Sequence, residues 1–185
     1  MTDSASRRLS AGDYFDEAMR VLEDSGFPAL TAAGLCERLG ATRGSFYHHF
    51  KNFDDFVAKF LDYWEERYSR DLVARPEAPD LWSQIDEQAN LAIGLPHAAE
   101  AALRAWATVE PRVATAQRRV DELRRQGLAA SLQRYGIPET QAAAFAAIAI
   151  AALAGIQVTR QPLDQSEMRA MYSELARALR QGGPS

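Results

Sequence analysis

The chain predicts an all-α fold of three short N-terminal helices followed by a larger six-helix bundle. Three observations carry that expectation. Apolar residues recur at three- and four-residue steps along most of the 185 residues. No stretch sustains the period-two alternation of β-branched residues that marks strands. Prolines and glycines fall where helices of ordinary length should start or stop.

The first helix is expected to begin near Ser10, which can cap it, with Asp13 placing an acid in the first turn. Tyr14, Phe15, Ala18, Met19 and Leu22 share one face. Gly26 ends it, and Phe27-Pro28 reads as an extended connection. Thr31 caps a short helix over Ala32–Leu39, with Leu35, Cys36 and Leu39 inward and Gly40 as its stop. Thr42 caps a third helix through about His49, heavy with Phe46, Tyr47 and Phe50. Asn52 caps a long fourth helix, about Phe53 to Ala74, with Asp54 and Asp55 in its first turn and Pro76 and Pro79 beyond it.

Asp80 starts a helix through about Ile93, and Leu95-Pro96 breaks the chain again. His97–Ala107 is short. Glu110-Pro111 opens a longer helix through Tyr135, with Gly136 as its stop. Pro138 opens one through about Arg160, Gln161-Pro162 breaks it, and Ser166–Gln181 is the last. The tail Gly182-Gly183-Pro184-Ser185 is expected to fray.

Composition narrows the class. At 47% hydrophobic the chain can bury a sizeable core. A single cysteine, Cys36, allows no internal disulfide and suits a reducing compartment. The N-terminal MTDSASRRLSAGDYF has no apolar signal region, so a cytoplasmic location is expected. The longest run without polar side chains, Ala142–Ile156, is 15 residues and reads as too short and too alanine-rich to span a bilayer. Net charge is −4, yet Arg38 to Phe53 holds Arg38, Arg43, Lys51, His48 and His49 with no acid. A small nucleic-acid-binding module needs such a patch, because phosphate neutralisation supplies much of its affinity.

Two short helices meet at Gly40 in LCERLGATRGSFYHHF. A helix-turn-helix needs a tight turn and small residues where the helices cross, which Cys36 and Gly40 provide. Its second helix must offer short or polar side chains to base edges at its N-terminal end, and Thr42, Arg43, Gly44 and Ser45 do so. Gly44 would cost about 1 kcal/mol relative to alanine in an ordinary helix interior. It makes sense where backbone must approach DNA closely. On spacing alone, a plain three-helix cap on a bundle stays open beside this reading.

The segment LTAAGLCERLGATRGSFYHHFKNFDDFVAKFL resembles the N-terminal motif of the tetracycline-repressor (TetR) family of transcriptional regulators. Thr31, Leu35-Cys36, Leu39-Gly40-Ala41-Thr42, Arg43, Gly44, Ser45, Phe46, Tyr47, His48-His49 and Phe50 match that family's pattern without a gap. The likeness covers about 50 of 185 residues; the rest shares only the helical plan and length. The resemblance implies an all-α protein with a DNA-binding domain at 1–52 and a ligand-binding and dimerisation domain at 53–185. It further implies a regulator, expected to be a repressor, that binds a palindromic double-stranded operator as a homodimer and is released by a small apolar or aromatic molecule.

The resemblance also implies roles. Arg43 would read a guanine edge in the major groove. Thr42 and Ser45 would meet phosphate or a thymine methyl. Tyr47 and His49 would donate to phosphates, with His48 near them. Lys51 would add a mobile backbone contact, and Thr31 with the amides above it would hold another phosphate. The family's usual lysine at the start of the fourth helix is replaced by Phe53, so weaker, less salt-dependent binding is expected.

For the dimer, the sequence offers AAAFAAIAIAALAGI, apolar on every face and therefore in need of cover all round. The expected interface is Phe145, Ile148, Ala152 and Ile156 together with the final stripe Met168, Met171, Tyr172, Leu175 and Leu179. The alternative is a central core helix in a monomer. For the ligand, Tyr63, Trp64, Tyr68, Trp82, Leu103, Trp106 and Phe145 are the expected lining of an apolar pocket. His97 reads as a surface or capping residue, and Arg118, Arg119, Arg124 and Arg125 as a solvated face with local ion pairs.

The rival class is a small all-helical enzyme. Three histidines and one cysteine give no metal-ligand cluster, and no HExxH, GxSxG, phosphate-cradling loop or paired Glu-x-x-His occurs. No catalysis, cofactor, metal or membrane partner is expected. A regulator controlled by a protein partner, or by no small ligand, remains the alternative within the DNA-binding class.

Overall fold

The structure is a computed structural model that describes residues 9–70, 78–159 and 163–181. Among these residues there are nine α-helices and no strand. They are α1 (Ala11–Ser25), α2 (Ala32–Arg38), α3 (Arg43–His49), α4 (Phe53–Glu65), α5 (Leu81–Ile93), α6 (His97–Ala107), α7 (Pro111–Arg134), α8 (Glu139–Thr159) and α9 (Gln165–Gln181). The expected break at Pro76, the helix ends at Ala74 and Arg160, the Gln161-Pro162 break and the Gly182–Ser185 tail lie outside the described residues.

Local chemistry sets most boundaries. Ser10 and Asp13 form a reciprocal capping box at α1. Thr31, Thr42, Asn52 and Asp80 each cap their helix through a side-chain oxygen. Glu110 caps α7 with Pro111 at its first position, and Gly136 (φ +84°) follows its end.

Two boundaries differ from expectation. Phe27-Pro28 is not extended: Phe27–Ala29 forms one 3-10 turn, closed by Leu30 N–H donating to the Phe27 carbonyl at 3.1 Å. Proline fits there because a first-turn amide needs no partner. The fourth helix leaves α geometry early, at Glu65, and continues as a π-helical turn over Glu66–Arg70.

The main core runs without a break from the N-terminal helices into the bundle. Tyr14, Phe15, Phe46, Phe50, Phe56, Phe60 and Trp64 pack with Leu103, Val113 and Val120. The ring of Phe56 lies 5.1 Å from that of Phe50 and 5.8 Å from that of Phe15. Truncating one such buried ring to alanine typically costs about 3–5 kcal/mol. Contacts of α7 with α4, Arg112–Asp54 at 3.0 Å and Arg119–Glu65 at 2.8 Å, brace the same joint. Two smaller clusters fill the far end: Ile85, Leu132, Ala142 and Ala146 in one, Ile93, Leu95, Leu153 and Met168 in the other.

The reading of the alanine-rich stretch as too short for a bilayer is corrected. Helix α8 extends beyond the apolar run to 21 residues and, by length and composition alone, could cross one. Its buried side chains, Ala142, Ala146, Ala149, Leu153 and Ile156, instead pack inside the helical bundle, and Gln157 anchors it to polar partners there.

Candidate DNA-binding face and internal cavity

Helices α2 and α3 are joined by a turn fixed from both sides. Gly40 sits at φ +61°, where a side chain would be strained. Ala41 N–H donates to the Cys36 carbonyl at 2.8 Å, and the Cys36 thiol donates to the Thr42 carbonyl at 3.6 Å. Burial pushes that thiol up, so Cys36 is packing rather than a nucleophile. Phe46 and Phe50 hold the inner face of α3 against Tyr14.

The outer face carries most of the sequence-predicted DNA residues. Thr31, Thr42, Arg43, Gly44, Tyr47, His48 and Lys51 are all exposed. Tyr47 is 53% exposed although its neighbour Phe46 is fully buried. Arg43 forms no salt bridge among the described residues, although Arg38 beside it pairs with Glu17 and Asp24. A Cβ at Gly44 would meet only the Thr42 hydroxyl, at 3.6 Å. Packing within the protein therefore does not demand glycine at this position.

Two of the expected contacts have other work. Ser45 accepts a hydrogen bond from the Tyr14 hydroxyl at 2.9 Å, which locks α3 to α1. His49 Nε2 donates to the Leu9 carbonyl at 2.9 Å and ties down the start of the chain. Both are half-buried. At the position of the missing lysine, Phe53 stacks on Phe56 with ring centroids 5.5 Å apart. Nearby, Lys59 pairs with Asp55 at 2.9 Å.

Among the described residues, the seven expected pocket residues are spread over separate packing clusters. Trp64 and Leu103 lie in the core joining the N-terminal helices to the bundle. Trp106 stacks on Phe27 at 6.0 Å, and the Tyr63 hydroxyl donates to Asp16 at 2.5 Å. Tyr68 packs between two core clusters, and Trp82 lies under the Arg180 guanidinium. The aromatic residues of α4 and α6 face α1, so they close the joint between the two parts. The sequence had offered them as pocket lining, with no sign of the neighbour across from them.

A cavity of about 130 Å³ lies instead between α5, α7, α8 and α9. Phe145 lines it, alone of the seven expected residues, with Leu91, Leu128, Ile150 and Leu153 as further apolar wall. Gln88, Ser131 and Arg124 also line it, and each carries a buried polar atom with no partner among the described residues: Gln88 Oε1, Ser131 Oγ and Arg124 Nε. Buried groups of this kind are uncommon and call for an explanation.

Arg124 was expected on a solvated face, and that expectation is corrected. It is 7% exposed and forks onto the fully buried Glu100, at 2.5 and 3.0 Å. Arg119 likewise leaves its own helix for Glu65, whereas Arg125 and Glu122 form the expected local pair. Burial works against charge on Glu100, but Arg124 and the Gln157 amide outweigh it and hold the carboxyl below the usual range. Gln157 continues the network to His97 Nδ1, whose Nε2 donates to the Ile93 carbonyl. His97 is half-buried and does cap, since Ile93 is the last residue of α5, and it is also tied to Gln157. No local pattern in the sequence marks this network, because Glu100, Arg124 and Gln157 sit on three different helices.

The expected dimer residues are divided by burial. Ile156, Met168 and Leu179 are covered within the chain. Phe145 and Tyr172 line the cavity. Ala152, Met171 and Leu175 are half-buried, and Ile148 is 56% exposed. A turn of α8 points its true outer stripe elsewhere: Ala144, Ala147, Ile148, Ala151, Gly155 and Val158 are exposed and apolar. A helix carries only one side toward its own bundle, so residues four apart on the far side stay uncovered.

Residues 15–59 match the family model of bacterial regulatory proteins, tetR family. No curated protein matches the chain. Among solved structures, the chain is similar to a transcriptional regulator from Rhodococcus sp. Rha1, with a TM-score of 0.78, 21% identity and coverage of 94% of this chain and 97% of that one. A TetR transcription regulator from Haloarcula marismortui gives a TM-score of 0.75 at 22% identity, covering 91% and 96% of the two chains. A TetR-family regulator from Agrobacterium tumefaciens gives 0.74 at 21% identity, covering 90% and 96%. At these identities the structural likeness bears on the fold.

Proposed function

We propose that this chain, a tetR-family transcriptional regulator by its residues 15–59 and its fold, acts in the cytoplasm as a homodimeric repressor that releases a palindromic operator when a small molecule enters its bundle. One observation carries the DNA side of this reading. The outer face of α3 presents Thr42, Arg43, Gly44 and Tyr47 to solvent, while its inner face is fixed to α1 through Tyr14, Phe46 and Phe50. A recognition helix must be rigid behind and unoccupied in front.

On this reading Arg43 reads bases, its guanidinium suiting the acceptor pair of guanine. Thr31, Thr42, Tyr47, His48 and Lys51 track phosphates. Ser45 and His49 act chiefly by holding α3 in place. Domain 1–52 docks on the operator and domain 53–185 carries the ligand and the dimer contact. The uncovered stripe on α8 supports the dimer. Ala151 and Gly155 stand four apart on it, and a Cβ at Gly155 would meet nothing within 4 Å. Small residues at that spacing allow a partner helix to approach closely. The adjoining Met171 and Leu175 of α9 complete a four-helix contact across a two-fold axis.

Selection of bound DNA from a random pool tests the reading. The expected product is a palindrome whose half-sites lie about 34 Å apart, one helical turn, as two linked recognition helices require. Recovery of no enriched sequence would overturn the DNA-binding reading, and an enriched site without two-fold symmetry would overturn the dimer.

A further inference from the structure

The cavity between α5, α7, α8 and α9 has a chemistry of its own. We propose that it binds an uncharged, hydroxyl-bearing molecule about the size of one aromatic ring, of the phenol or cyclic-alcohol class. This rests on the reading of the chain as a ligand-released regulator and names the ligand class.

Size comes first. The cavity holds about 130 Å³. An apolar protein cavity of about 150 Å³ accommodates benzene. Leu91, Leu128, Phe145, Ile150 and Leu153 supply walls that suit a ring or a compact hydrocarbon, while Glu87 and Arg134, one charge of each sign, join the lining as exposed residues.

The unpartnered atoms then set the polar group. Arg124 Nε is a donor and needs an acceptor. Gln88 Oε1 is an acceptor and needs a donor. Ser131 Oγ does both. A hydroxyl is the smallest group that accepts from one neighbour while donating to another. An ether or ketone leaves Gln88 unanswered, and a plain hydrocarbon leaves all three.

Charge excludes the obvious rivals. An arginine in a pocket ordinarily suggests a carboxylate ligand. Here the Arg124 charge is already matched by Glu100, which accepts from both terminal nitrogens and from the Gln157 amide at 2.8 Å. An anion entering the cavity would meet a balanced ion pair with a buried carboxylate behind it. A cation would meet the guanidinium. Tyr172 adds no charge, since burial pushes its phenol up to about 12. A neutral occupant alone escapes both desolvation penalties.

Calorimetric titration of the full chain with four single-ring probes tests this: phenol, toluene, benzoate and benzylamine. Phenol is expected to bind most tightly and to raise the melting temperature. Toluene should bind about tenfold more weakly, the scale of one or two hydrogen bonds. Benzoate and benzylamine should not bind. In the double variant Ser131→Ala, Gln88→Leu the preference for phenol over toluene should disappear while toluene binding persists. Both substitutions remove unpartnered polar atoms, so folding should be retained, and persisting toluene binding verifies it. Tighter binding of benzoate or benzylamine, or binding of none of the probes, would overturn the proposal. Gel shifts with the selected operator separate the two readings. Phenol that binds without releasing DNA keeps the ligand class and removes the regulatory role. DNA binding with an empty cavity does the reverse.

Discussion

Arg124 Nη2 donates to the main-chain carbonyl of Tyr68 at 2.8 Å, so a residue of the cavity wall holds the π-helical turn that ends α4. The same helix carries Phe56 and Phe60 into the core shared with α1 and α3. The cavity and the DNA-binding face are thus joined by one contiguous set of packed elements. Such a connection transmits a signal only if its members have two arrangements that both sites bias.

Removing Arg124 separates stability from signalling. Arg124→Leu leaves Glu100 buried without its cation, a change that typically costs about 3–5 kcal/mol. The double change Arg124→Leu, Glu100→Leu removes both charges, and replacing a buried pair with apolar groups is often neutral. Urea denaturation should therefore show a large loss for the single variant and recovery of most of it for the double. The double variant should still bind operator but lose release by ligand, because the Tyr68 tether and the Arg124 contact to the ligand are both gone. Retained release in the double variant would show that the signal takes another route.

Arg43→Ala and Gly44→Ala test the recognition helix from opposite sides. Arg43 is exposed and forms no ion pair among the described residues, so its removal should leave the melting temperature unchanged. Operator affinity should fall by about 1–3 kcal/mol, with relaxed preference at one base position of each half-site. Gly44→Ala should stabilise the protein by up to about 1 kcal/mol, since the new methyl has room and glycine is a poor helix former. If Gly44 lies against DNA, the same methyl weakens operator binding. Gel-shift titration beside thermal denaturation checks both, and unchanged affinity in both variants would move the interface away from the N-terminal end of α3.

Legibility followed the range of the interaction. Caps such as Ser10, Thr42 and Asp80 act within three residues, so their helices could be placed from composition and spacing alone. The helix-turn-helix is equally local, built by Cys36, Gly40 and Thr42 within a few residues of one another. Arg124 was not legible. It stands in a run of arginines, and only the phase of α7 and a partner 24 residues away make it interior. The aromatics of α4 and α6 were expected to line a pocket, because an apolar side chain at helical spacing does not reveal what lies across from it. Ser131 and Gln88 carried no signal at all, because a buried polar atom without a partner is a property of packing.

Acid should loosen the N-terminal helices through Glu17. This carboxylate is buried on α1 and accepts from Arg38 of α2 and from Arg20 at 2.8 Å. Burial pushes its carboxyl up, but the two guanidiniums prevail and hold it below the usual range. Its contribution is therefore complete above the unfolded-state value of about 4.3 and is lost as pH falls through the lower folded value. Glu17→Gln should lower stability at neutral pH by about 1 kcal/mol, a modest figure because both arginines remain partly solvated. It should also flatten the fall in melting temperature below about pH 4.3. A variant with the same acid slope as the parent would assign that slope to other carboxylates.

The outer stripe of α8 yields the last prediction. Ile148 and Val158 are 56% and 66% exposed, unusual for aliphatic residues on the most apolar helix among the described residues. Ala151 lies between them with its side chain outward, so a substitution there meets solvent in a single chain and a partner in a dimer. Ala151→Glu should leave the helical signal and the melting cooperativity of the chain intact while placing two like charges at a two-fold axis. Light scattering at micromolar concentration should give a dimer for the parent and a monomer for the variant. Operator affinity should fall with it, because a lone half-site contact loses the effective concentration that linkage to a second one supplies. A variant that stays dimeric would place the contact away from this face. A parent that is monomeric would leave α8 as a helix covered on one side only.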